Sequence, residues 1–255
     1  MLKLMKYEFI HSMRTFLISY VVFLAMCVIY PFLADKFFFP NIPFLYMFFN
    51  LGFILLVIGI IIALFVSLFI NFHHSMFKKP AYLTLTLPVS STQLVLSKVI
   101  MSIVWLIIGI FVLMIGLFIM TMITSFINDV ITISELFDTL KEMLGSVIHY
   151  FIYDSKDFFK DILAMMSGLI FMIGSIYFAL TSAHTKWLRK HRLIFGIILY
   201  ITIDIIVAYI GSDLFTSSAI NSDILAILQS LYYLSLGSFM IFGTIYIFDH
   251  YIEID

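Results

Sequence analysis

The chain has 255 residues, 63% of them hydrophobic and 11% charged, and its mean hydropathy is +1.15. Soluble domains lie near about 45–50% apolar and about 25% charged, so this composition excludes an ordinary soluble fold and indicates a multi-pass membrane protein. The net charge of −1 gives no bulk attraction to nucleic acid, and the single cysteine, Cys27, excludes an intrachain disulfide.

A spanning helix needs about 20 mostly apolar residues. Six stretches meet this: 15–33, 44–70, 99–123, 162–183, 193–210 and 224–248. The runs are continuous and do not alternate, so the expected fold class is an all-α membrane protein with six transmembrane helices. The first run exceeds the core of a signal peptide and ends Leu33-Ala34-Asp35-Lys36 without a small-x-small site. It is read as retained.

Ahead of the first span, residues 1–14 place Leu2, Met5, Phe9 and Met13 at helical spacing, with Lys3, Lys6 and Arg14 beside them. That pattern fits an N-terminal interfacial helix, or simply a positively charged flank. Cys27 reads as a small buried or lipid-facing hydrophobe.

Residues 71–98 between spans two and three form the polar stretch that lipid matching does not explain. Pro80 and Pro88 bracket a short segment and stop helix from running through both ends. Tyr82, Leu83, Leu85 and Leu87 are apolar groups on a loop, and such groups ask for a partner surface or for the membrane interface. Ser90-x-x-Gln93 is positioned to cap the helix that becomes span three.

The segment 126–160 is expected to hold an extracytoplasmic amphipathic helix. Ile133, Leu136, Phe137, Leu140, Met143, Leu144, Val147, Ile148, Phe151 and Ile152 recur at helical spacing, opposite Glu135, Asp138, Lys141, Glu142, Ser146 and His149. Thr132-x-x-Glu135 reads as its capping box.

Span four carries Ser175, Ala179 and Ala183, small residues at every fourth position that let another helix approach closely. The loop 184–192 is strongly basic and reads as a positive-inside anchor with Trp187 at the interface, or as a contact surface for a cytoplasmic subunit. Span five contains Asp204. A carboxylate in hydrocarbon costs about 2.5–3.5 kcal/mol on insertion scales. Asp204 is therefore protonated, bonded to a hydroxyl such as Tyr200, or open to a water-filled path, unless the shortness of span five brings it near the outer interface.

Ten of the fourteen Lys and Arg residues fall at the N-terminus and in the loops 71–98 and 184–192. By the positive-inside rule both termini are expected in the cytoplasm.

Several chemistries have no sequence support. None of the eleven glycines precedes a lysine, so the G-x-x-x-x-G-K-[ST] phosphate loop is missing. No H-E-x-x-H, C-x-x-C or G-x-S-x-G occurs. His73 and His74 are adjacent, so on a helix they diverge by about 100° and do not share a metal geometry. No catalytic, cofactor-binding or metal residues are expected.

Lys6-Tyr7-Glu8-Phe9 with Arg14, and Tyr82-Leu83-Thr84-Leu85-Thr86-Leu87-Pro88-Val89-Ser90 followed by Gln93-Leu94-Val95-Leu96-Ser97-Lys98, resemble the permease subunits of ABC-2 type ABC exporters. Residues 78–81 depart from many members, which have an acidic, glycine-containing turn there. The outer helical region lies between spans three and four, as in a subset exporting peptides and drugs.

The resemblance implies a single transmembrane domain over 1–255 in a bacterial cytoplasmic membrane. It further implies a second permease chain, identical or paralogous, and separate ATPase subunits that hold ATP and Mg. Loop 71–98 would contain a cytoplasmic coupling helix, with Lys79, Tyr82, Leu83, Leu85 and Leu87 as its ATPase-contacting residues. The chain would be a permease for an amphipathic or hydrophobic substrate such as a peptide, toxin or drug. Asp204, Tyr200 and Ser175 are candidates for the path or the interface. The alternative is a secondary transporter or channel using Asp204.

Overall fold

Residues 2–33, 43–77, 90–128, 133–185, 191–215 and 222–251 are described by the structure, a computed structural model. Seven helices follow in chain order: α1 (Leu2–Pro31), α2 (Pro43–Phe77), α3 (Ser91–Ile127), α4 (Ile133–Tyr153), α5 (Ser155–Ala183), α6 (Arg192–Phe215) and α7 (Ser222–Tyr251). No strand occurs among the described residues. All except α4 are long and apolar enough to cross a bilayer, so the chain is a multi-pass membrane protein.

Helix is the required answer for such a sequence, because every backbone amide and carbonyl in hydrocarbon must be bonded within the segment. The observed helices overrun the apolar stretches. Residues 2–14 of the lead-in and the first span as far as Pro31 form one unbroken helix, α1. The 35 residues of α2 and the 37 of α3 reach about 52 and 55 Å at 1.5 Å per residue. A hydrocarbon core is about 30 Å thick, so both helices extend past it. Residues 71–77, expected in the loop, are helical, as are 91–98, where the Ser90 cap points to the start of span three. The start of α3 is capped as the sequence suggests, with the Gln93 amide donating to Ser90 Oγ (3.4 Å) and the Leu94 amide to the Ser90 carbonyl (3.1 Å).

Helix α4 carries the expected amphipathic pattern, and its apolar side chains Phe137, Leu144, Val147 and Ile152 are exposed. Thr132, the proposed capping residue, lies outside the described residues.

The chain divides into two units, and α1, α2 and α3 contribute to both. One comprises Ser12–Ser67 and Trp105–Ser155. Its centre is a stripe on α1 (Ser12, Phe16, Tyr20, Phe23 and Cys27), all buried, spaced three or four residues apart and so sharing one helix face. The Phe16 ring stacks on Trp105 with centroids 5.1 Å apart. Trp105 Nε1 donates to Ser12 Oγ (2.8 Å), and Tyr20 Oη donates to the Trp105 carbonyl (2.6 Å). Gly109 makes room for Tyr20, since a β-carbon there would stand 3.0 Å from the phenol oxygen.

The other unit comprises Met1–His11, Leu68–Val104 and Lys156–Asp255. Helix α5 runs through its middle, with Phe171, Ile173, Ile176, Tyr177, Ala179, Leu180 and Ala183 buried. Between helices in lipid no hydrophobic force operates, and association rests on close packing and interhelical hydrogen bonds. The small residues serve that end. A β-carbon on Gly174 would lie 2.7 Å from the Gly237 carbonyl oxygen of α7, and one on Gly196 of α6 would lie 3.0 Å from Leu180. Phe171, Val207 and Met240 close the core among α5, α6 and α7.

Candidate functional site

The segment expected to carry the coupling residues Lys79, Tyr82, Leu83, Leu85 and Leu87 lies outside the described residues. Its two anchors are described. Helix α2 ends at Phe77, helix α3 begins at Ser91, and both ends are fixed by a buried polar and aromatic cluster.

On the α3 side, Lys98 Nζ stands 2.5 Å from Glu8 Oε1 of α1. The lysine side chain is 4% exposed and the glutamate 17%. The lysine reaches Glu8 because it sits on the first turns of α3, one residue before the apolar run. Tyr177 of α5 lies against the same stretch. Its hydroxyl is 2.5 Å from Ser102 Oγ and 3.4 Å from the Lys98 carbonyl. A fully buried phenol needs such partners, since an unpaired buried hydroxyl costs about 1–3 kcal/mol.

On the α2 side, Phe72 stacks on the Tyr177 ring with centroids 3.8 Å apart. Phe77, the last residue of α2, stacks on His184 at 3.9 Å. His73 meets the same imidazole edge-on at 4.9 Å. His184 is buried at the end of α5, where its Nδ1 is 2.7 Å from the Leu180 carbonyl. Thr181 Oγ1 donates to the Tyr177 carbonyl one turn back (2.7 Å).

Tyr177 and His184, seven residues apart on one face of α5, thus grip α2 and α3 on either side of residues 78–90. Aromatic stacking of this kind adds about 0.5–1.5 kcal/mol per pair beyond area burial. The ion pair is a different matter. Its attraction is offset by desolvation of both charges, so it adds little net stability, yet losing one partner strands the other. It specifies position.

Glu8 and Lys98 stand in separate sequence phrases, and the structure joins them. Ser102 and Tyr177 carry no such mark in the sequence, and His184 reads there as part of a basic loop. One signal was available. Lys98 is the lysine that abuts an apolar run directly, and Glu8 stands among the bases of the N-terminal stretch. A buried base needs a nearby acid.

Ser175 is buried in α5 and donates its hydroxyl to the Met172 carbonyl (2.9 Å). Tyr200 meets Phe69 edge-on with centroids 5.4 Å apart. Among the described residues no hydrogen bond links Tyr200 to Asp204. Asp204 is exposed. Helix α6 runs to Phe215, five residues past the expected end of span five. Asp204 is therefore the thirteenth of its 24 residues, near the middle of a helix about 36 Å long. Within the described residues it joins no ion pair.

No family model, curated protein or solved structure matches this chain.

Proposed function

We propose that the chain is the membrane-spanning permease subunit of an ATP-driven ABC-2 type exporter, driven through residues 78–90 by a separate ATPase subunit. The observation that supports this most is the frame around that segment. The end of α2 and the start of α3 are held by Phe77–His184, Phe72–Tyr177, Ser102–Tyr177 and Glu8–Lys98. A lever must be stiff where it meets the body that it moves. Force applied to residues 78–90 passes into α2, α3, α5 and the N-terminal end of α1 together, because these contacts tie the four.

In this reading the Lys and Arg bias puts residues 78–90 and both termini in the cytoplasm. Lys79, Tyr82, Leu83, Leu85 and Leu87 form the contact with the ATPase, which binds ATP and Mg. The first turns of α1 lie along the cytoplasmic interface. Helix α4, with its exposed apolar face, lies on the outer leaflet as an interfacial helix. A second permease chain completes the path. The substrate is amphipathic or hydrophobic and enters from the bilayer, since the spanning helices offer few polar groups. The test is affinity purification of the tagged chain in mild detergent from its native membrane. A stoichiometric subunit with a phosphate-binding loop should accompany it. Purification of the chain without any such subunit contradicts the proposal.

A further inference from the structure

We propose that Asp204, exposed near the middle of α6, anchors the cationic group of an amphipathic substrate inside the membrane. This deepens the export reading by naming the charge of the substrate.

Three observations converge on it. Asp204 is the thirteenth residue of the 24-residue helix α6, a helix apolar enough to cross a membrane. The residue is exposed on the surface of this chain, with the Tyr200 phenol one turn back close enough to feel its charge. Secondly, the stretches 15–33, 44–70, 99–123, 162–183, 193–210 and 224–248 contain no Lys, Arg or His at all. No base within these stretches can neutralise Asp204, and the same stretches of a second copy bring none either. Lys98, at the edge of α3, is already paired with Glu8. An intramembrane acid persists where it meets a partner or a path, and a cation carried by an entering molecule supplies the charge that these stretches lack.

Thirdly, the surroundings suit an amphiphile. Ile201 and Ile205 beside Asp204 are 49% and 63% exposed, and Ala208, one turn on, is exposed too. The Thr202 hydroxyl is occupied by the Ile198 carbonyl (2.8 Å). The face therefore offers one anionic point within an apolar strip. An amino group flanked by alkyl side chains matches it, as on a lysine-bearing amphipathic helix. An anionic amphiphile of the same shape is repelled.

The test uses the full chain in nanodiscs of phosphatidylcholine, whose headgroup has no net charge. The probes are a dansyl-labelled 18-residue Leu/Lys helix and its Leu/Gln twin. Asp204→Asn should weaken the Leu/Lys probe by about 30-fold or more, as for loss of a desolvated charge pair. It should leave the Leu/Gln probe unchanged, and Asp204→Glu should retain binding. Equal Leu/Lys affinity of wild type and Asp204→Asn overturns the inference, as does an equal loss for both probes. The first result would mean that a proton or a base on a different chain neutralises Asp204. As a check that does not depend on folding of the variant, a benzophenone cross-linker at position 205, with Asp204 intact, should capture the Leu/Lys probe in preference to the Leu/Gln twin. Equal capture overturns the inference.

Failure of the export reading is separate. Asp204-dependent binding by a chain that purifies without an ATPase subunit sinks that reading and keeps this one. Asp204-independent binding by a chain that purifies with the ATPase does the reverse.

Discussion

Lys98 Nζ lies 2.5 Å from Glu8 Oε1, joining the second turn of α1 to the third turn of α3 across ninety positions of sequence. Both residues are largely shielded. That sets this pair apart from the bridges of Lys160 to Asp157 (2.5 Å) and Asp223 (2.7 Å), whose carboxylate side chains are 57% and 63% exposed.

The two kinds of ion pair should respond differently to mutation. Glu8→Gln leaves Lys98 as a buried, uncompensated charge and should cost about 3 kcal/mol or more. The double replacement Glu8→Gln with Lys98→Met should recover most of it. Lys160→Met removes a contact to exposed, solvent-screened carboxylates and should have much the smaller effect. Thermal unfolding of the detergent-solubilised chain, followed by the loss of its monodisperse elution peak, reads all three. Equal losses for Glu8→Gln and Lys160→Met would contradict the burial argument.

Tyr177 and Ser102 should be energetically coupled. Tyr177→Phe deletes a hydroxyl that is 2.5 Å from Ser102 Oγ inside the protein. The expected cost is about 1–2 kcal/mol. Ser102→Ala should cost a similar amount, and the double variant less than the sum by about 0.5–1.5 kcal/mol. Strict additivity in the same unfolding measurement would show that the two groups do not share a bond.

Glycines along the helix contacts should fall into two groups. A β-carbon on Gly237 would stand 2.7 Å from the Phe171 amide nitrogen and 2.8 Å from its Cα. Backbone cannot rotate away, so Gly237→Ala must push α7 off α5, at about 1–3 kcal/mol. Gly168, also on α5, has nothing within 4 Å of its built β-carbon. Gly168→Ala should be neutral, or stabilising by up to about 1 kcal/mol through helix propensity. Melting temperatures that move in opposite directions, or by clearly different amounts, check the assignment.

The spanning helices were legible in the sequence because a bilayer demands long apolar runs, and such runs need no knowledge of their neighbours. The helix ends were less so. Asn71 to Phe77 read as loop because they are polar, yet backbone hydrogen bonding continues through polar residues once a helix is nucleated; the helical start at Ser91 was legible from the Ser90 cap. The helix end at Phe215 moved Asp204 from a position near the end of the expected span to the centre of α6. The small residues of span four marked a packing face, and Ala179 and Ala183 are buried in α5. The glycines that let other helices approach α5, Gly237 against Phe171 and Gly196 against Leu180 and Ala183, could not be chosen from one sequence, because nothing local specifies which helices meet. The same holds for Glu8 with Lys98 and for Ser102 with Tyr177. Each pair is separated by 75 residues or more, and each half reads alone as a charged flank or a span residue. Residues 78–90 were read from composition and resemblance.

The export account stands most directly on the segment between α2 and α3. Tyr82 and Leu83 should both be replaced by Asp in the chain co-expressed with the ATPase subunit that purifies with it. The measurement is ATP hydrolysis, together with the amount of ATPase subunit retained on the tagged permease. The account predicts that the complex dissociates, or that hydrolysis loses its dependence on the permease, while the glutamate–lysine and tyrosine–serine contacts at the helix ends keep the chain folded and monodisperse. An intact complex with an unchanged hydrolysis rate would contradict it.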